Sequence, residues 1–419
     1  MRIFPEKMFY GWRIVAAGGA INMLLSGFLT QSFGTYFATL SEERGWSKTA
    51  LSGAAAMQPL ESAVLGPALG WLMDHFGPQR MIRAGVLLFG AGFMLLSAID
   101  TLPQLYFAIL VIALGASLCG HFPLNVVLIH WFEKNRARAL SMASLGSAIG
   151  GVIVPLVAWS MHNFGWRPTA FVTGVIFILV CWPLSAMMRS RPEDYGETVD
   201  GLPVTAHKAK EAALTPVHQQ GYTAREALRT RAFWLIALGH AFALFVVTAV
   251  NVHAITHIKE SLGYAVTEAA LYFTLMLAFQ VGGVFVGWAI GERYDKRYIA
   301  ATCMLAHMVG LLLLAYATGP AMLVAFAVVH GVAWGLRGPF MAAMRADYFG
   351  RRQIGMILGL SSLIVAVGSI SGPVVAGIFA DITGDYRAGF TVLATLAGGG
   401  ALFFLMLKPR PVIDKFVGQ

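Results

Sequence analysis

The chain is written in long apolar blocks. Twelve apolar runs, at about 12–37, 49–73, 80–98, 104–131, 138–161, 167–188, 231–257, 267–290, 298–317, 320–346, 354–379 and 387–407, alternate with short links rich in charge, glycine and proline. A helix needs roughly 20 such residues to cross a ~30 Å hydrocarbon core. Within that core each segment must satisfy its own backbone hydrogen bonds, so helices are the expected element. The residue-by-residue alternation of a membrane barrel is not seen. The pattern predicts an all-α membrane protein of twelve transmembrane helices. Residues 189–230 are the one long polar stretch, beginning RSRPEDYGETVDG, and they divide the spans six and six. This predicts an N-terminal six-helix bundle over 1–188, a cytoplasmic linker over 189–230 with a short amphipathic helix at 223–230, and a C-terminal six-helix bundle over 231–419.

Composition supports this reading. Of 419 residues, 57% are hydrophobic and 12% are charged, about half the charged share of a soluble globular protein, which is roughly 25%. The formal charge of +9 raises the question of nucleic acid, and its distribution answers it. With the N-terminus inside, the cytoplasmic links and helix ends receive 24 Lys and Arg, the outer side receives five (Arg44, Lys48, Arg167, Lys259 and Arg387), and Arg337 lies within a span. That asymmetry predicts both termini in the cytoplasm and no nucleic-acid partner. The N-terminal segment runs directly into a span too long for a signal peptide and is read as a retained first helix. Cys119, Cys181 and Cys303 fall in apolar spans without metal-ligand spacing and are expected to be buried thiols.

The two halves repeat each other. Gly70-Trp71-Leu72-Met73-Asp74 aligns with Gly287-Trp288-Ala289-Ile290-Gly291 at an offset of 217, Gly120-His121-Phe122-Pro123 with Leu336-Arg337-Gly338-Pro339 at 216, and Pro155 with Pro373 at 218. Near-constant offsets indicate duplication, a known architecture for transport around a central site. Gly146, Gly150, Gly151 and Pro155 in the fifth span are echoed by Gly368, Gly372 and Pro373 in the eleventh, as expected of close helix packing.

The link after the second span, Gly70-Trp-Leu-Met-Asp74-His-Phe-Gly77-Pro-Gln-Arg80, resembles the major facilitator superfamily pattern at Gly70, Leu72, Asp74, Gly77 and Arg80, with His75 where an arginine is usual. The second copy is degraded, with Gly291 in place of the acid and Glu292, Arg293, Asp295 and Arg297 following. The resemblance implies two pseudo-symmetric six-helix bundles of the major facilitator fold. It also implies a gating role for Gly70, Asp74, Gly77, Arg80, Arg293, Asp295 and Arg297, through ion pairs at the cytoplasmic helix ends; anchoring of those ends is the alternative. The whole chain is similar to bacterial relatives of monocarboxylate and oxalate/formate porters at Phe9-Tyr10-Gly11-Trp12, Gly45-Trp46-Ser47, Arg191-Pro192-Glu193-Asp194-Tyr195-Gly196 and Asp347-Tyr348-Phe349-Gly350-Arg351-Arg352. Such porters often place an arginine in the eighth helix; here the position is Gly283, and the eleventh span reads Gly359-Leu360-Ser361-Ser362 without a basic residue.

Polar residues at mid-span are the candidate chemistry, because an ionisable group in hydrocarbon costs roughly 3 kcal/mol or more. Arg337 and His121 lie at repeat-equivalent positions, each two residues before a proline. Asn22, Glu61, His240 and Gln280 fall in the same layer, with Asn125 one turn from His121. Arg337 can grip a carboxylate bidentately, pair with Glu61, or cap carbonyls near Pro339. The expected substrate contacts are Arg337, His121, Asn125, Asn22, His240 and Gln280. Glu61 is the expected proton carrier, with a salt bridge as its other role. His253 and His257, spaced i and i+4, could bind metal but are expected on a solvated vestibule face.

No phosphate-binding loop, zinc-protease helix or nucleophile elbow is present. The expectation is therefore a monomeric secondary transporter, not an enzyme, needing no cofactor or metal. It would use protons to move a small organic anion across a bacterial cell's inner membrane. Efflux of amphipathic drugs or metabolites and transporter-like nutrient sensing are the alternatives.

Overall fold

The computed structural model describes residues 9–46, 48–202 and 221–409. The middle of the linker, 203–220, lies outside them, as do Ser47 and both chain ends. Twelve long helices run through the described residues. They are α1 (Tyr10–Tyr36), α2 (Lys48–Phe76), α3 (Pro78–Ser97), α4 (Leu102–Trp131), α5 (Arg136–Phe164), α6 (Trp166–Ala186), α7 (Arg231–Leu262), α8 (Val266–Ile290), α9 (Lys296–Ala315), α10 (Pro320–Phe349), α11 (Ile354–Thr383) and α12 (Arg387–Leu405). Among the described residues, eleven are long and apolar enough to cross a membrane. The other, α2, has the length, at 29 residues, but Gln58, Pro59, Glu61, Gly66 and Pro67 interrupt its apolar run.

Helix ends follow local chemistry. Gly77 adopts φ 81° and hands over to Pro78 at the start of α3, where a proline loses no hydrogen bond. Gln104 Oε1 accepts the amides of Asp100 at 2.7 Å and Thr101 at 3.1 Å ahead of α4, and Thr230 Oγ1 accepts the Phe233 amide at the start of α7. The expected linker helix is present as Ala224–Leu228, closed by a Thr223/Glu226 capping box. The other end of the linker is strapped down. The Asp200 carboxylate accepts the amides of Glu133 at 3.1 Å and Lys134 at 2.7 Å, and Arg189 lies 3.9 Å above the Tyr10 ring.

Packing divides the chain into two compact units. One is Met1–Ala209 together with Ile354–Gly359, and the other is Lys210–Gln353 together with Leu360–Gln419. In the first, α1 packs on α5, α2 on α4, and α3 on α4 and α6. In the second, α8 packs on α10, α9 on α10 and α12, and α7 on α12. Gly146, Gly150, Gly368 and Gly372 serve as expected, whereas Gly151 is corrected: nothing lies within 4 Å of its Cβ position. A Cβ at Gly146 would run into the Gly19 carbonyl of α1, and one at Gly368 or Gly372 into the Ala241 or Phe245 carbonyl of α7. The equivalent helices of each repeat thus meet backbone to backbone.

The first unit also bends its helices. A π turn occupies Ser26–Gln31 in α1, a 3-10 turn occupies Gly150–Ile153 in α5, and Gly120, at φ −88° and ψ −148°, breaks α4 just before His121. Such interruptions inside a span need local repayment of backbone hydrogen bonds. Ser32 Oγ donates to the Gly27 carbonyl at 2.6 Å, and Ser26 Oγ to the Ser147 carbonyl at 3.0 Å.

Two outcomes follow from this packing. Gly146→Leu overpacks the α1–α5 seam, at a cost of about 1–3 kcal/mol, and should lower the melting temperature in detergent. Gly151→Leu, whose Cβ meets nothing within 4 Å, should leave it unchanged. At the α3–α4 link, Arg44 and Arg167 bind Asp100 Oδ1 at 3.0 and 2.6 Å. Their hydrogen bonds, Arg44's first, hold that carboxyl below its ordinary 3.8. A carboxyl depressed by folding stabilises above its unfolded value and loses that contribution as pH falls through the folded one. Asp100→Asn should therefore melt below the parent at neutral pH, with the gap closing as the pH drops below 3.8.

Candidate functional site

The charged core belongs to the second unit and is built mainly on α10. Arg337 and Arg345 lie two turns apart on one stripe, with Met341 between them. Both are buried, at 1% and 4% exposure, and neither forms an ion pair with a carboxylate among the described residues. Arg345 is neutral-bonded on every side. Its Nε and Nη2 donate to Ser361 Oγ at 2.9 and 2.7 Å, its Nη1 to the Met341 carbonyl at 3.1 Å, and its Nη2 to His240 Nδ1 at 3.1 Å. An arginine can only donate, so His240 Nδ1 accepts and its hydrogen sits on Nε2. Arg337 is different: its Nε and Nη1 are buried and have no hydrogen-bond partner among the described residues.

Arg345 is not among the candidate residues named from the sequence. Four residues from the end of α10 it is still covered, because α7 and α11 bring His240 and Ser361 over it. The eight-residue spacing from Arg337 is the signal that could have found it. Two further groups escaped the sequence reading. His307 on α9 and His330 on α10 are fully buried and share a hydrogen bond between their Nδ1 atoms at 3.3 Å. Arg337 acts electrostatically on both, as it does on His240, Cys303 and Arg345. His330 precedes Arg337 by seven residues, two helical turns, which was the legible clue.

Gln280 is half-buried on α8, where its carbonyl lies against Gly335 and its amide 3.1 Å from the Cβ position of Gly331. It therefore sits on the α8–α10 seam, packed against the turns just before Arg337.

The first unit holds a neutral polar cluster instead. His121 Nε2 lies 2.7 Å from Ser147 Oγ, and His121 Nδ1 lies 3.4 Å from Asn22 Nδ2. Asn22 is buried with its Oδ1 unpartnered, while His121 is exposed and Asn125 half-buried one turn on. Among the described residues Glu61 has no basic partner. Its Oε2 accepts from Ser117 Oγ at 2.7 Å and Ser62 Oγ at 3.2 Å, and its Oε1 is buried and unpartnered. The salt bridge considered for Glu61 is replaced by two hydroxyls, since α4 presents Ser117 and no cation to it.

The motif after α2 works through backbone. Asp74 Oδ1 and Oδ2 accept the amides of Gly355 at 3.0 Å and Met356 at 2.8 Å, at the start of α11, which clusters with the first unit. A helix N-terminus offers unpaired amides and a partial positive charge, so the carboxylate takes them instead of the expected base. Gly70 lies against the Gly355 carbonyl and Gly359 against that of Gly66, so no side chain would fit. Gly77 is the left-handed turn, and Arg80 is exposed. In the second unit, Asp295 caps α9 and pairs with Arg297 at 2.7 Å, while Lys296 reaches Asp347 at 2.8 Å. Arg297 also donates to the Leu407 carbonyl, and Arg293 is exposed.

His257 is buried, and the vestibule reading is corrected for it: its Nε2 lies 3.0 Å from the Leu314 carbonyl and its Nδ1 3.0 Å from Ser261 Oγ. His253 reaches the Pro373 carbonyl at 3.0 Å. The i, i+4 pair thus serves two separate backbone carbonyls. A small cavity of about 20 Å³ in the first unit, lined by Phe28, Phe33, Tyr36, Leu51, Phe93 and Leu105 among others, is apolar and touches none of the expected site residues.

The sequence profile of the Major Facilitator Superfamily matches residues 19–288 and 236–418. Curated relatives include Monocarboxylate transporter 13 of Bos taurus, 26% identical over 416 residues, covering 96% of this chain and 91% of the relative. Monocarboxylate transporter 11 of Homo sapiens is 25% identical over 420 residues, covering 97% and 84%. Among solved structures, the proton:xylose symporter XylE, bound to 6-bromo-6-deoxy-D-glucose, aligns with a TM-score of 0.74 over 96% of each chain at 12% identity. At that identity the likeness concerns the fold.

Proposed function

Because this chain belongs to the Major Facilitator Superfamily, and so is a multi-pass membrane protein of that twelve-helix fold, we propose that it is a secondary active transporter for a small organic anion. The substrate class is a mono- or dicarboxylate, the mechanism alternating access, and the coupling ion a proton. The observation that carries this reading is the state of Arg337. A buried guanidinium costs several kcal/mol, and here two of its nitrogens make no bond. A carboxylate would satisfy both at once through paired charge-assisted hydrogen bonds. The named activity of the monocarboxylate transporter relatives supports the same class.

In this reading Arg337 holds the anion, with His240 and Gln280 as nearby polar contacts. His121, Asn22 and Asn125 are the neutral polar contribution of the first unit. Glu61, with one oxygen held by Ser117 and Ser62 and the other free, is a carboxyl able to carry a proton. The Asp74 cap on the first turn of α11 is the gate, closed around Gly70 and turned by Gly77, and the Asp295–Arg297 pair with Arg293 serves the equivalent link. Arg80 is the exposed base of the first link. The distribution of Lys and Arg supports cytoplasmic termini in a bacterial inner membrane. Reporter tags at the two ends should both read cytoplasmic.

The lack of a basic residue at Gly283 and over Gly359-Leu360-Ser361-Ser362 favours a second reading, export of amphipathic compounds. A deletion strain separates the two: sensitivity to such compounds with normal growth on carboxylates selects export.

Proteoliposomes with an acid-outside gradient should accumulate labelled short-chain carboxylate. Arg337→Ala should reduce uptake by roughly 10- to 100-fold, the worth of a charge-assisted hydrogen bond of about 1.5–3 kcal/mol, and Arg337→Lys should retain part of it. Undiminished uptake by Arg337→Ala would remove Arg337 from the site.

A further inference from the structure

The buried histidine pair beside Arg337 has a chemistry set by its geometry. His307 and His330 meet with ring centroids 4.6 Å apart and Nδ1 atoms 3.3 Å apart. Gly310 makes the room: a Cβ there would lie 2.9 Å from the His330 Cβ. Two facing Nδ1 atoms can share only one hydrogen, so one ring donates Nδ1–H and the other accepts with its lone pair. The donating ring then has a bare Nε2, and the accepting ring carries its hydrogen on Nε2. Both Nε2 atoms are buried and unpartnered.

A proton from solvent added to the bare Nε2 turns the donating ring into an imidazolium. No bond is lost, and the Nδ1–H···Nδ1 bond becomes charge-assisted and stronger. A second proton could enter only at the accepting Nδ1, which would break the bond. The pair can therefore hold one proton and no more.

Its surroundings decide when it does. Along α10 stands Arg345, along α9 Cys303, and from α7 His240, each linked electrostatically to Arg337, as the pair itself is. On α7, His253 and His257 are bonded elsewhere. Helix α8 carries only Glu268 and Tyr272 as titratable groups, both near its start, and α12 only Arg387, at its first residue. Two guanidiniums without a facing carboxylate oppose a third positive charge. An anion on Arg337 removes that opposition. By linkage, anion and proton then raise each other's affinity by the same factor.

We propose that the His307–His330 pair is the anion-linked proton site: it takes up one proton when a carboxylate occupies Arg337, so that proton movement is tied to substrate in the second unit and not at Glu61 alone. This rests on the anion reading of Arg337.

The test uses the purified full chain in proteoliposomes, with labelled acetate, pyruvate, lactate and oxalate as probes and uptake measured across external pH. For the transported anion, the parent should show an apparent KM that rises with pH by up to about tenfold per unit. His307→Gln and His330→Gln should each flatten that dependence to less than about twofold per unit while anion exchange at equal pH persists. Glu61→Gln should keep a dependence of more than about twofold per unit, whatever proton Glu61 itself carries. A slope unchanged in the histidine variants, or absent from the parent, overturns the proposal while the anion reading stands. Should neither histidine variant fold, Glu61→Gln decides, since loss of the slope there overturns it. If the parent moves none of the four anions, the anion reading itself falls, and the proposal with it.

Discussion

The cost of a positive charge in a dry interior governs the second unit. A guanidinium cannot shed its proton, so it must find acceptors or wait for them. Arg345 has found them in Ser361, His240 and the Met341 carbonyl, groups that satisfy hydrogen bonds without cancelling charge. Arg337 is left with two idle donors. The neutral Nε2–H tautomer of His240 follows from the Arg345 guanidinium, which can only donate to its Nδ1.

The first unit solves the same structural task with neutral groups. His121, at the position equivalent to Arg337, is held by Ser147 and Asn22, and Glu61 by two serines. Its helices are interrupted at Ser26–Gln31, Gly120 and Gly150–Ile153, whereas α10 and α11 run unbroken through Pro339 and Pro373. Both units hold glycine seams, Gly146 on Gly19 and Gly372 on Phe245. The chemistry carried between them differs. Backbone contact tolerates no side chain, so the seams are constrained in both copies, while the polar positions are free to take different roles.

Much was legible along the chain. The length and apolarity of the spans are imposed by hydrocarbon, which accepts only helices with internally satisfied backbones, and the polar stretch at 189–230 marks the division between repeats. Even α2, the least apolar, was readable by length and by its place in the repeat. Arg337, Glu61, His121 and Asn22 stood out because polar groups are rare at that depth. The motif after α2 was recognised, but its acid caps a helix start instead of meeting a base.

Residue order alone thus determined the helices, their number and the repeat, because each depends on a segment's own length and solubility in lipid. Only the tertiary structure decided the partners. Whether Arg345 is buried, whether His307 meets His330, and whether Asp74 finds amides or a guanidinium depend on which faces of helices distant in sequence are brought together. No periodicity within one helix carries that information.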